Sequence, residues 1–145
     1  MKLVIDVNVV ISALIKDSTT RRILLNKNID YYFPEKSFEK IMKYEVYILK
    51  KSGLSQDEFY KVLSKLFINI NLIKDESLKV YWERAKNIMQ DIDKEDVVFI
   101  ACALVLGNKS FIWSDDKDFR KQKIVPIITT KDLIKKFGFD SGNRS

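Results

Sequence analysis

Leu3-Val4-Ile5, at the start of the chain, is an unbroken apolar run without the polar alternation of a half-exposed strand. Such a run fits a strand covered on both faces, as in the middle of a parallel sheet. A sheet of that kind needs helices on both sides. Asp6 ends the run, and Val7, Val9, Val10, Ile11, Ala13, Leu14 and Ile15 after it suit a helix buried on most sides. A carboxylate is thereby fixed where a central strand hands over to a helix, the edge at which open α/β sheets bind ligands. Taken alone, Asp6 reads equally well as the N-cap of that helix, so its meaning depends on the other acids.

The rest of the chain keeps alternating. Ser18 or Thr19 can cap a second helix that runs to about Lys27, and Tyr31-Tyr32-Phe33 is a short strand candidate. Pro34 then stands at the first turn of a helix from about Glu35 to Lys51, stopped at Gly53. Phe38, Ile41, Met42, Ile48 and Leu49 form one face of it, with Glu45 in the middle of that face and Glu35 and Glu39 along its edge. Ser55 and Glu58 form a capping box at the head of a further helix. Ile70 to Ile73 reads as a strand, and Asp75 caps a helix with Leu78, Tyr81, Trp82, Ala85, Ile88 and Met89 at helical spacing. These aromatics read as core rather than as a stacking platform for bases.

After the acidic turn from Asp91 to Asp96 come ten apolar residues, Val97 to Leu106, and then Gly107. A helix apolar all round is a buried one. Ser110 to Trp113 reads as the next buried strand, followed at once by Ser114-Asp115-Asp116-Lys117-Asp118. Ile124 to Ile128 is the last strand candidate, an edge strand because of Pro126. Thr129 or Thr130 caps a short helix from Asp132 to Phe137, and residues 139–145 form a polar tail. The pattern predicts an α/β fold: one domain over residues 1–138, a three-layer α/β/α sandwich with a mostly parallel central sheet.

In that architecture the strand exits share one edge, which carries Asp6 and the acids after Trp113. Asp96 lies in the first turn of the buried helix, and Glu39 on the third helix can join them. Each has an ordinary reading: Asp93 and Asp96 as helix caps, the late acids as a solvated turn. Together, however, uncompensated carboxylates repel one another, and a divalent cation removes that penalty. The chain has no histidine and a single cysteine, Cys102, inside the apolar run, so an ordinary zinc site lacks its ligands. An all-oxygen site points to Mg2+ or Mn2+, and metal-activated water is the natural nucleophile.

Lys and Arg number 26 against 20 Asp and Glu, a net charge of +6. If the acids share a pocket, the remaining surface is more basic still, which suits a phosphate-bearing partner. Lys16, Arg21, Arg22, Lys117 and Arg120 flank the proposed edge and can hold a polyanionic backbone. One cysteine forms no disulfide within the chain, as expected of a reducing, cytoplasmic setting. The N-terminus is a poor signal peptide, and no apolar stretch reaches the ~20 residues that span a bilayer.

Val4-Ile5-Asp6-Val7-Asn8-Val9 resembles the opening motif of the PIN-domain ribonucleases, an aspartate at a strand end followed two residues on by asparagine. Asp93-x-x-Asp96 before an apolar helix is similar to that family's third acidic segment, and Ser114-Asp115-Asp116-Lys117-Asp118-Phe119 to its fourth. The resemblance implies Asp6, Glu39, Asp96 and Asp116 as the carboxylate set, with Asp118 accessory and Asn8 and Ser114 as polar supports. Glu35 and Glu45 stay open as alternatives to Glu39. The activity implied is Mg2+- or Mn2+-dependent cleavage of RNA, with Asp6, Asp96 and Asp116 binding the metal. Many small prokaryotic members, the VapC-like toxins, are held in check by an antitoxin protein, and a homodimer is the expected assembly. The rival within the family is a non-catalytic module that binds RNA or protein. A phosphatase of the haloacid-dehalogenase type needs D-x-D where this chain has Asp6-Val7-Asn8, and a receiver domain needs an acidic pair where Ile5 precedes Asp6.

Overall fold

The computed structural model describes residues 1–90 and 92–139. Asp91 of the acidic turn and residues 140–145 of the tail lie outside the described residues. Five strands form one all-parallel sheet: β1 (Lys2–Ile5), β2 (Asp30–Pro34), β3 (Ile70–Ile73), β4 (Ser110–Trp113) and β5 (Ile127–Ile128), in the order β3-β2-β1-β4-β5. β1 is central, and Leu3, Val4 and Ile5 are fully buried, as their unbroken apolar run requires.

Between β1 and β2 lie α1 (Val7–Ile15) and α2 (Thr19–Leu24); between β2 and β3 lie α3 (Phe38–Lys43), α4 (Glu45–Ser52) and α5 (Gln56–Phe67). α6 (Asp75–Lys79), α7 (Trp82–Met89) and α8 (Val97–Leu106) carry the chain back to β4, and α9 (Thr130–Phe137) closes it. Right-handed crossovers put the helices between β1 and β3 on one face and those between β3 and β4 on the other. The packing agrees: α1 packs on α2, α3, α4 and α5, whereas α8 packs on α6, α7 and strands β1, β2 and β4. The result is the three-layer α/β/α sandwich.

α8 is the principal cover of its face. Val97 to Ala103 are all buried, and the Phe99 ring sits 6.0 Å from Phe33 and 6.2 Å from Phe119. At roughly 1.5–3 kcal/mol for each large apolar side chain removed from water, this helix outweighs any polar contact on that face.

Several elements differ from the sequence reading. The helix expected over Glu35 to Lys51 is three pieces: a 3-10 turn over Glu35–Ser37, then α3 and α4, broken at Tyr44. There the Tyr44 N–H donates to Ile41 O rather than one residue further back, which tightens the turn. Pro34 ends β2 instead of opening a helix. α2 stops at Leu24, short of Lys27. Asp75 begins α6 without capping it, and α6 and α7 are separate helices. β5 contains only the last two residues of its predicted range.

The capping box is present: the Glu58 N–H donates to Ser55 Oγ (3.2 Å), and the Ser55 N–H donates to Glu58 Oε1 (2.9 Å). Ser55→Ala removes one of these bonds, so it is expected to cost about 1 kcal/mol. Thermal denaturation, with a midpoint lowered by a few degrees, is the check.

Candidate active site

The order of the strands selects the site. From β1 the chain moves outward to β2 and β3, then returns to lay β4 on the other side of β1. The switch point is therefore the crevice beyond the carboxyl ends of β1 and β4, where ligands bind in open α/β sheets. Register places Ile5 opposite Trp113, so the next residues, Asp6 and Ser114, emerge side by side.

A chain of hydrogen bonds ties them together. The Ser114 hydroxyl donates to Asp6 Oδ2 (2.8 Å) and accepts from the Asp116 N–H (3.0 Å). The Asp118 N–H donates to Asp116 Oδ1 (2.9 Å), and Lys121 Nζ pairs with Asp118 Oδ1 at 2.9 Å. The Asn8 N–H donates to the other oxygen of Asp6 (3.3 Å), so Asp6 does cap α1, while its second oxygen serves the site. Asn8 contributes its backbone to this arrangement, and its side chain is exposed.

Asp6 and Ser114 are buried and Asp116 half-buried. Burial raises the Asp6 carboxyl above its ordinary pKa, against its bonds from Ser114 and Asn8; the charge of Asp116 adds to the rise and Lys40 opposes it. Asp96 precedes α8 yet makes no side-chain capping bond. It is buried, and its Oδ2 has no hydrogen-bond partner among the described residues. Burial, then the charges of Asp93, Asp6 and Asp116, push its pKa up to about 7, with Lys40 acting in the opposite direction. A buried carboxylate oxygen left unpaired is costly, so the feature calls for a compensating group.

The remaining acids divide. Asp115 accepts from the Thr130 N–H (2.8 Å) and hydroxyl (2.7 Å), which commits it to the start of α9. Glu45 accepts from Gln56 Nε2 (2.8 Å) and the Tyr60 hydroxyl (2.9 Å), which ties α4 to α5. Glu39 is exposed and lines a second groove with Lys40, Lys43, Lys94, Glu95 and Trp82, while Glu35 is exposed on the preceding turn. The first groove is lined by Asp6, Asn8, Ser12, Thr20, Asp115 and Asp116. Among the described residues, no three Asp, Glu, His or Cys side chains are gathered into a preassembled metal-binding group. Asp6, Asp96 and Asp116 feel one another's charge without closing on a common point.

Of the flanking basic residues, Arg21 is engaged elsewhere, since its guanidinium donates to Ala13 O (2.7 Å) and Leu14 O (3.3 Å) and closes the end of α1. Arg22 donates to Thr19. Lys40 is the cation the sequence reading passed over: it pairs with Glu95 and lies within electrostatic reach of Asp6 and Asp96. Its signal was the spacing of Lys36, Lys40 and Lys43, one turn apart along the edge that bears Glu39. A separate hollow at the amino end of β4, around Tyr81, Arg84, Asn108 and Pro126, is lined by no carboxylate among the described residues.

The family profile described as PIN domain matches residues 4–134, from β1 into α9. No curated protein and no solved structure matches the chain.

Proposed function

Because the chain belongs to the PIN-domain family, a nuclease-type fold, we propose that it is a divalent-cation-dependent endoribonuclease hydrolysing RNA phosphodiester bonds. One observation carries the reading: Asp96 Oδ2 is buried with no hydrogen-bond partner among the described residues, on a carboxylate within electrostatic reach of Asp93, Asp6 and Asp116. A hard cation is the compensating group that such an all-oxygen set fits best, Mg2+ or Mn2+. Asp6, Asp96 and Asp116 would hold it, and its charge would offset their mutual repulsion. When bound, the cation would polarise a phosphoryl oxygen and make a water nucleophilic at neutral pH.

The chain's own residues supply the rest. Ser114 fixes Asp6 and the Asp116 backbone in one frame, so two ligands on separate strands keep their relative placement. Glu39, exposed in the second groove, and Asp118, paired with Lys121 just beyond Asp116, would be the carboxylates that orient the attacking water and accept its proton for in-line displacement. Residues 1–138 would constitute this one nuclease domain. The resemblance suggests the toxin of a toxin–antitoxin pair as its setting, with an antitoxin protein as partner and a homodimer as the assembly. Buried Cys102 fits the reducing cytoplasm proposed as its location, and no described helix is long and apolar enough to cross a membrane.

The test is incubation with single-stranded RNA in Mg2+ or Mn2+, in EDTA, and in EDTA followed by excess cation. Cleavage that is lost with the chelator and restored by cation is expected. Absence of cleavage with every cation, or cleavage indifferent to chelation, would overturn the reading. The first of those outcomes favours a non-catalytic RNA- or protein-binding module.

A further inference from the structure

Two grooves meet at one aromatic residue. Tyr44 lines both the groove that holds Glu39, Lys40 and Lys43 and a third one, which it shares with Tyr47, Lys16, Asn8 and Ser12. Asn8 and Ser12 in turn line the groove of Asp6 and Asp116. Through these shared lining residues a track of adjoining grooves can be traced from the lysines of α3, past two tyrosines, to Asp6 and Asp116.

The tyrosines are placed on that track by the break in the helix. Tyr44 has left helical geometry (φ −94°, ψ 9°) between α3 and α4, and Tyr47 follows one turn later. The two residues are 42% and 48% exposed, and their rings meet edge to face with centroids 6.3 Å apart. Lys51 Nζ stands 5.9 Å over the Tyr47 ring, and Lys40 lies within electrostatic reach of Tyr44. Exposed aromatics between cations, in a groove leading to a carboxylate centre, match the chemistry of an unpaired nucleic-acid strand: the cations take phosphates and every base offers a face to stack.

We propose that Tyr44 and Tyr47 form a stacking platform for unpaired bases of an RNA strand, whose backbone passes Lys40 and Lys43 on its way to the acid pocket. The proposal rests on the nuclease reading and adds to it the residues that would receive the bases of the substrate strand. A duplex keeps its bases stacked on one another and offers these rings nothing.

The experiment uses the full chain carrying Asp6→Asn, so that RNA is bound and not cut. The probes are a single-stranded oligoribonucleotide containing 2-aminopurine and the blunt duplex of that strand with its complement. The single strand is expected to bind more tightly, with its fluorescence quenched by the rings. Tyr44→Ala and Tyr47→Ala should each weaken single-strand binding roughly tenfold and relieve the quench, while Tyr→Phe at either position retains both. Both side chains are exposed, so the variants should fold, and circular dichroism checks that they do. Undiminished affinity and quenching in the double alanine variant would overturn the proposal. So would conversion of a dimer to a monomer with RNA affinity unchanged, which would make the patch a contact between copies. Cleavage by the parent chain in Mn2+ is scored separately. If the parent cleaves but the alanine variants bind normally, the platform falls and the nuclease stands. If the parent never cleaves yet the quench appears and the variants lose it, the nuclease reading falls and the platform stands.

Discussion

Asp6→Asn is expected to lower RNA cleavage by at least about 10³-fold while leaving the protein as stable as the parent or slightly more so. The two halves of this expectation have different physical sources. Losing one anionic ligand from a cation that stabilises transition-state charge removes several kcal/mol, and each 1.36 kcal/mol is tenfold in rate. The fold, by contrast, gains from neutrality at this position, because burial penalises the charged carboxylate. Asparagine keeps the size and still offers an oxygen to the Asn8 N–H, and the Ser114 hydroxyl can turn to accept from the new amide. A cleavage time course in Mn2+ and a thermal melt, run on the same preparation, measure both halves. Parent-like cleavage would remove Asp6 from the mechanism, and a collapsed melt would make its role structural.

The fold was legible wherever burial leaves its mark on neighbouring residues. Leu3 to Ile5 and Val97 to Leu106 are apolar without relief, so a strand covered on both faces and a helix enclosed through Ala103, its last turn half-buried, followed directly, and an α/β/α sandwich followed from their alternation. The misplaced boundaries come from contacts that composition does not carry. Ile124 to Pro126 looks like strand, but the buried Gln122 amide accepts from the Ile124 and Val125 N–H groups and donates to Val125 O, holding that stretch as a loop. The breaks at Tyr44 and near Tyr81 interrupt runs with good helical spacing and no proline or glycine. In both places tertiary packing overrides propensity.

The candidate site was legible to the extent that its members follow strands. Asp6 and the acids after Trp113 were placed by their position at strand ends, since β1 and β4 lie side by side. Choosing among the late acids needed the fold, because what takes Asp115 away is Thr130, fifteen residues on and beyond β5. Glu45 is likewise claimed by Gln56 and Tyr60 of another helix. Lys40 and Glu95 are 55 residues apart, and nothing local announces their pairing or the reach of Lys40 toward Asp6 and Asp96. The unpaired oxygen of Asp96 was equally hidden, since its position before α8 suggests a cap that it does not make.

Asp96 also sets an expected pH dependence opposite to that of most acids. Its carboxyl titrates near 3.8 when unperturbed and at about 7 in the fold. Between those values the native state holds a proton that the unfolded chain has released, so stability of the cation-free protein should fall as pH rises from about 4 to about 7. The raised Asp6 acts in the same direction. Glu58, Glu95 and Asp132 have lowered values, so their stabilising contributions are present above the usual carboxylate range and lost only below it, outside most of this window. In EDTA, the melting temperature should therefore drop by several degrees between pH 5 and pH 8. Mn2+ should restore it at pH 8, where the native state presents charged ligands that the unfolded chain cannot assemble, and do little at pH 5. Asp96→Asn should flatten the pH profile and abolish the shift with Mn2+. Calorimetry across that pH range, with and without the cation, decides the matter. A melting temperature that rises toward pH 8 in EDTA, or a Mn2+ shift that survives the substitution, would mean that this buried oxygen is not where the cation is held.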